Sequence, residues 1–252
     1  TNVVRVRRSS DNTEQNFTPT EITDGTLTTF TGANDGFVAT WYDQSGNSND
    51  ITQSAASRQL IIVSSGVLVT SFGSLPSMET NSSANGFLEL PKSDFAFTHK
   101  TQATFSIVSD TTSTGTYLSG SMDATSTTLT RVGISIDRFG LAVGNASGTD
   151  RVIYHNTDVR GSYHILWDYN CTDVTASSRS NLRLNGSNQS TNTSTGTPSS
   201  SDSRDGLNVI GRRNGGSSVI EGKYQEIIIW DERKNTDRAG IESNINTYYS
   251  IY

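Results

Sequence analysis

The chain has 252 residues, a formal net charge of −6 and a pI near 5.0, with three Trp, nine Tyr, nine Phe and a single Cys. Its positive charges cluster only at Arg5-Val6-Arg7-Arg8 and Arg212-Arg213, which argues against a nucleic-acid surface; the longest apolar runs fall far short of the roughly 18 residues a membrane span needs. Ser, Thr, Asn and Gly exceed two residues in five, a composition of strands and turns, and the aromatic and Val/Ile content is enough to fill a core and so excludes disorder.

From the N-terminus, Val3 to Arg8 alternates apolar and basic residues, the period of a half-buried strand with Val4 and Val6 inward and Arg5 and Arg7 outward. Phe17 to Phe30 is Thr-rich, is broken by Pro19 and Asp24-Gly25, and reads as a surface excursion. The next strand, Gly36 to Tyr42, runs into Asp43-Gln44-Ser45-Gly46-Asn47-Ser48-Asn49-Asp50. These side chains bond their own backbone or tolerate positive φ, so a tightly folded loop is expected. Trp41 is expected to anchor the core, with Trp41→Ala costing about 3–5 kcal/mol, and Asp43 to pin the loop. Asp43, Asn47, Asn49 and Asp50 are also hard oxygen donors of the kind Ca²⁺ takes, although the bidentate Glu and regular alternation of a dedicated calcium loop are missing.

Short strands follow at Leu60–Val63, Val67–Val69, Phe87–Leu90, Ala103–Ser109, Val132–Ile136 and Leu141–Val143, with a tight hairpin expected at Asp137-Arg138-Phe139-Gly140. Tyr163–Tyr169 and Asn181–Gly186 read as a neighbouring pair, with Asn185-Gly186 as a turn. The polar tracts 172–180 and 187–203 are expected to be loops, and Leu207–Gly211 and Gly222–Trp230 close the strand set. One helix is expected after Asp231, capped by Asn235 or Thr236, with Ile241, Ile245, Tyr248 and Tyr252 on its packing face. Neither an internal repeat nor a linker divides residues 1–252, which read as one domain.

Cys171 has no partner for an intrachain disulfide, leans towards folding in a reducing cytoplasm, and reads as a small buried hydrophobe. The start at Thr1, without Met or an apolar leader, reads as a processed or excised piece. His99, His155 and His164 have no metal-ligand spacing, and His164 reads as a packed histidine. A Gly-x-Ser-x-Gly elbow and a phosphate-cradling Gly loop are both absent. Glu89, Asp168, Glu221 and Glu226 sit on or beside strands, where carboxylates are usually solvated or paired. Asn-x-Ser/Thr sequons are numerous, as chance dictates in such a composition.

Val6–Asn12 followed by Trp41–Asp50 resembles the opening of the catalytic domain of fungal α-L-arabinofuranosidase B. Gly222–Trp230 with the helix through Tyr252 resembles the last strand and closing helix of concanavalin A-like and laminin-G-like sandwiches, and similar domains occur in proteins of marine bacteriophages and bacteria. The resemblance implies an all-β, concanavalin A-like jelly-roll β-sandwich of two antiparallel sheets with one C-terminal α-helix. It also implies a retaining glycosidase, which needs two carboxyl groups about 5 Å apart. The family's nucleophile lies in an Asp-Leu-Glu-Asn-Gly-like stretch that this chain lacks, and the region of its acid reads Gly211-Arg212-Arg213-Asn214-Gly215-Gly216, without a carboxylate.

The function expected from the resemblance is therefore a non-enzymatic bacteriophage virion domain, capsid- or tail-associated, for adhesion or recognition of host-surface or extracellular glycans. Tyr117, Phe139, Tyr154 and Trp230 would supply the aromatic face, and Asn145, Asp150 and Arg151 the polar contacts. The alternatives are a glycoside hydrolase acting on arabinose-containing polysaccharide and a purely architectural virion module. The expected setting is a virion assembled in the host cytoplasm, or otherwise extracellular, with other virion proteins or a homo-oligomer as partners and calcium as the one cofactor weighed.

Overall fold

A computed structural model describes residues 1–80, 86–90, 101–111, 116–120, 134–137, 140–144, 151–155, 157–190, 192–193, 207–210 and 221–252. In chain order the strands of the first half are β1 (Val4–Arg8), β2 (Glu14–Phe17), β3 (Gly36–Trp41), β4 (Ile51–Thr52), β5 (Leu60–Ser64), β6 (Val67–Leu68), β7 (Met78–Glu79), β8 (Leu88–Leu90) and β9 (Gln102–Thr111). Those of the second half are β10 (Thr116–Gly120), β11 (Ile134–Asp137), β12 (Gly140–Gly144), β13 (Arg151–His155), β14 (Gly161–Asn170), β15 (Ser180–Leu184), β16 (Ser187–Asn188), β17 (Asn192–Thr193), β18 (Leu207–Ile210) and β19 (Gly222–Trp230). The protein is all-β with a C-terminal helix, and the described ladders are antiparallel and join into one large sheet.

That sheet divides at β3. One edge of β3 pairs with β1, while its other edge pairs first with β5 (Gly36 to Val38) and then with β4 (Thr40 and Trp41). From β5 one arm continues through β7, β19, β9, β14 and β15 to β16. From β4 the other continues through β8, β18, β10, β11, β12 and β13 to β17. The expected hairpins fall where the turn chemistry placed them: Asp137 pairs with Gly140, and Asn185-Gly186 joins β15 to β16 with φ of 47° and 71°, the doubly left-handed geometry of a type I′ turn.

Phe105, Trp167 and Tyr169 form an aromatic stack in the core, with ring centroids 4.7 to 6.2 Å apart. Phe17, Leu27, Leu60, Leu88, Ile107 and Tyr224 are also sealed from solvent. Ile153 of β13 belongs to the same cluster as these β9 and β14 residues, although β13 shares no ladder with either strand. Trp41 corrects its expectation: it packs against this cluster but is only half-buried, because it ends β3 where the chain turns into the loop.

Arg7 is not on a solvated face. It is 9% exposed, its Nε donates to Gln59 Oε1 (2.7 Å) and its Nη1 to Asn12 Oδ1 (2.8 Å), and its guanidinium lies 4.8 Å from the Phe37 ring centroid. Residues around Ala56 to Gln59 cover the side of β1 that alternation alone would leave to water.

The surface excursion between β2 and β3 is instead two short helices, α1 (Pro19–Thr23) and α2 (Thr26–Thr31). Thr18 Oγ1 accepts the Glu21 N–H and Glu21 Oε2 accepts the Thr18 N–H, a capping box, with Pro19 in the first turn, where its missing N–H is no loss. Burial of Ile22 and Leu27 supplies what helices this short lack on their own.

The closing helix, α3 (Arg238–Tyr249), starts from Asp237 with no side-chain cap, so neither Asn235 nor Thr236 caps it. Ile245 and Tyr249 are buried against Val108, with Phe72, Leu75, Ile228, Ile241 and Ile251 around them. The stripe follows i, i+4 spacing through residues 241, 245 and 249. Tyr248 is 65% exposed, edge-on to Tyr249, and the left-handed Ser250 (φ 53°) ends the helix before Tyr252.

Candidate functional site

The loop after β3 is organised by two carboxylates. Asp43 Oδ1 accepts the Ser45 N–H (2.8 Å), while its Oδ2 accepts the Ser45 hydroxyl (2.7 Å) and the Asn49 N–H (3.0 Å). Asp50 Oδ1 in turn accepts the Asp43 N–H at 2.9 Å, and the Asn47 N–H reaches Ser45 Oγ at 3.3 Å. Burial pushes the Asp43 carboxyl up, but these donated bonds outweigh it and hold the group below the ordinary carboxylate range. The structure thus brings together Asp43, Asn49 and Asp50, three of the four residues expected at a calcium site, through main-chain hydrogen bonds. Among the described residues, no group of three or more His, Cys, Asp or Glu could hold a metal ion.

Two of the four carboxylates expected on or beside strands are held by partners. Asp168, on β14, is buried and accepts from Arg233 Nε at 2.6 Å, with Asn181 Nδ2 3.3 Å from both of its oxygens. Glu226, on β19, is raised by burial and takes the Tyr249 hydroxyl as a hydrogen-bond partner. The ladders align Glu226 with Val108 and His164, and Asp168 with Thr104, so the two carboxylates lie four residues apart along the strand direction. At about 3.3 Å per residue that is about 13 Å before any lateral offset. It exceeds the separation of roughly 5 to 9.5 Å that either glycosidase mechanism requires. Glu89 and Glu221 are exposed.

Two histidines are buried in serine networks. Trp167 Nε1 donates to Ser180 Oγ (2.8 Å), His155 Nε2 lies 2.7 Å from the same oxygen, and His155 Nδ1 lies 3.2 Å from the Ser190 carbonyl. The Ser190 carbonyl can only accept, so Nδ1 carries the proton and Nε2 accepts from the Ser180 hydroxyl. A serine beside a basic histidine nitrogen has the form of a nucleophile and base, but both are sealed in the core, out of reach of any substrate. His164 Nε2 lies 2.9 Å from Ser106 Oγ, as a packed histidine would. The buried Cys171 thiol is pushed up to about 12, which makes it an inert hydrophobe. No local pattern announces these pairings, whose members are separated by 13 to 65 positions.

The residues expected to bind glycans fall on both arms. Tyr117 is on β10, Arg151 pairs with Gly144, and Tyr154 pairs with Ala142 and Asn192, all on the β4 arm. Trp230 lies on the other arm, half-buried at the end of β19 and opposite Thr104. Phe139, Asn145 and Asp150 lie outside the described residues. Trp230, Thr104, Asp168 and Asn181 make one row across β19, β9, β14 and β15, and the segment after β19 folds back on it: Thr104 Oγ1 donates to the Glu232 carbonyl at 2.8 Å and accepts the Lys234 N–H at 2.9 Å.

No family model matches the chain, and no curated protein is significantly similar to it in sequence. Solved structures share its fold. An arabinofuranosidase complexed with arabinofuranosyl-α-1,2-xylobiose aligns with a TM-score of 0.59 and 13% identity, over 99% of this chain and 59% of that one. A GH54 α-L-arabinofuranosidase soaked with a cyclic sulfate inhibitor gives a TM-score of 0.55 and 12% identity, over 99% of this chain and 60% of that one. The binding domain of Paraclostridial Mosquitocidal Protein 1 gives a TM-score of 0.53 and 15% identity, over 82% of this chain and 49% of that one. At such identities the likeness defines the class of fold, all-β, and nothing finer. This chain spans about three fifths of the length of the two arabinofuranosidases.

Proposed function

We propose that the chain is a non-enzymatic glycan-recognition and adhesion module, folded as a concanavalin A-like jelly-roll sandwich in which the two arms from β3 are the two sheets. The two-sheet reading is supported by Ile153, which shares a core with β9 and β14 without sharing a ladder with them. One observation carries the functional reading. The fold likeness to a protein crystallised with an arabinose-substituted xylobiose spans 99% of this chain, while its strand carboxylates, the buried Asp168 and the half-buried Glu226, are committed to Arg233 and Tyr249 and stand too far apart to act as a pair.

The aromatic and polar residues proposed to meet the sugar are Tyr117, Phe139, Asn145, Asp150, Arg151, Tyr154 and Trp230, and a calcium ion at Asp43, Asn47, Asn49 and Asp50 would stiffen the neighbouring loop. The proposed setting is a bacteriophage virion, where the module would contact host-surface glycans and other virion proteins; this rests on the sequence resemblance. A glycan-array screen with and without chelator tests the reading, and binding to no sugar would overturn it. The fold likeness also favours a second reading, hydrolysis of arabinose-containing polysaccharide. Turnover of 4-nitrophenyl arabinofuranoside that a single carboxylate substitution abolishes would establish it in place of the first.

A further inference from the structure

The sheet face under α3 holds a buried titratable group that neither the proposed site nor the core explains. His164 is 1% exposed, pairs with Val108 across the β9 ladder, and so lies in the footprint of the helix residues Ile245 and Tyr249 that cover Val108. Its Nε2 meets Ser106 Oγ, but its Nδ1 is buried with no hydrogen-bond partner among the described residues.

Among the described residues, the charged groups on the strands beside His164 are engaged elsewhere. From β15, Arg183 pairs with Glu242 of α3 at 2.5 Å. From β19, Glu226 takes the Tyr249 hydroxyl and Lys223 Nζ donates to the Thr70 carbonyl at 3.1 Å. From β9, Asp110 accepts the Ser162 hydroxyl at 2.9 Å. A proton added at Nδ1 would therefore create a buried N–H and a buried charge with nothing to receive either.

We propose that α3 is an acid-released clasp and that His164 is its trigger. The helix can leave without unfolding the sheet, because it shares no ladder with it and is seated through three buried side chains, Glu242, which pairs with Arg183, and Ile245 and Tyr249. Release bares Val108, Ile228 and the apolar stripe of α3 to water, and gives the imidazolium its hydration. Burial holds the His164 imidazole down at about 4, against 6.5 in a solvated chain. Above about 6.5 both states are neutral and the clasp is at full strength. As pH falls below that value the released state takes the proton first, and the clasp weakens until pH passes the lowered seated value. Glu226 works in the opposite direction: its raised carboxyl takes up a proton on acidification while the helix is seated, which favours seating. A comparison with His164→Leu at each pH cancels that contribution.

Hydrogen exchange of the amides of residues 238–249 in the whole chain tests the proposal. At pH 7.5 wild type and His164→Leu should be protected alike. Between about pH 6 and pH 4 the wild-type helix should lose protection relative to the variant by roughly sixfold per pH unit, while the β9 and β14 amides stay protected in both. Equal loss in the two proteins, or none in wild type, overturns the proposal. If His164→Leu does not fold, NMR titration of the unaltered protein decides. An imidazole that titrates well below 6.5, together with loss of α3 protection, supports the trigger; titration at an ordinary value overturns it.

Discussion

Replacing Arg233 with Met tests whether Asp168 is a structural carboxylate. The ion pair has an Nε···Oδ1 distance of 2.6 Å, and the Asp168 and Arg233 side chains are only 5% and 16% exposed. Removing one partner of a buried pair typically costs about 3–5 kcal/mol, because the remaining charge is stranded away from water. Among the described residues Asp168 would keep the Asn181 amide, at a long 3.3 Å, and the bond from Arg233 Nη1 to the Ser178 carbonyl would also be lost. We expect Arg233→Met to lower unfolding stability by about 4 kcal/mol, a drop in Tm of roughly 8–16 °C for a domain of this size. The double variant Asp168→Leu with Arg233→Met, which leaves no charge unpaired, should come within about 1.5 kcal/mol of wild type. Urea denaturation measures both. If the single variant loses less than about 1 kcal/mol, or the double variant is no better than the single, Asp168 is not held as described and its availability for acid–base chemistry reopens.

Four other substitutions probe the remaining structural readings. Asp43→Ala removes the acceptor of three loop hydrogen bonds and should cost about 1–2 kcal/mol by urea denaturation. Because the folded Asp43 carboxyl is depressed, its contribution is complete above the unfolded value near 3.8 and fades as pH falls through the lower folded one, so the variant should show a flatter acid limb. Calcium that raises the Tm of wild type but not of Asp43→Ala would place a cation in the loop. Gln225→Ala should cost about 2 kcal/mol by the same assay, since one amide bonds the Phe72 N–H and the Phe72 and Leu75 carbonyls, tying β19 to the segment before β7. Gly66→Ala places a Cβ 2.5 Å from the Gly32 carbonyl oxygen at a φ of +80°, and should lower thermal stability by at least about 2 kcal/mol. Trp41→Ala should cost about 2 kcal/mol, below the range for a fully buried Trp, and a loss above about 4 would mean that Trp41 is a core anchor after all.

Taken alone, the sequence determined what local rules govern. Alternation located most strands, Asn185-Gly186 and Asp137 to Gly140 located their turns, and the Asp and Asn density after Trp41 forecast a loop folded on its own side chains. Each of these depends on neighbours a few positions apart, and the order of residues reports such neighbours directly. Even the first of the two missed helices was written there, since Thr18, Pro19 and Glu21 spell a capping box; the Thr-rich surroundings obscured it, and the second helix has no side-chain cap to announce it.

Only the tertiary structure decided which surfaces are covered. Alternation puts Arg7 and Asp168 on the polar side of their strands but cannot say that Ala56 to Gln59 or Arg233 will close over them. It marks His164 as a strand residue but not as a buried one, opposite the Val108 that α3 covers, with a ring nitrogen that has no hydrogen-bond partner among the described residues. These outcomes depend on segments up to 65 positions apart meeting across a ladder or beneath a helix. Burial of that kind is what makes Asp168, read from sequence only as solvated or paired, a fixed support of the fold.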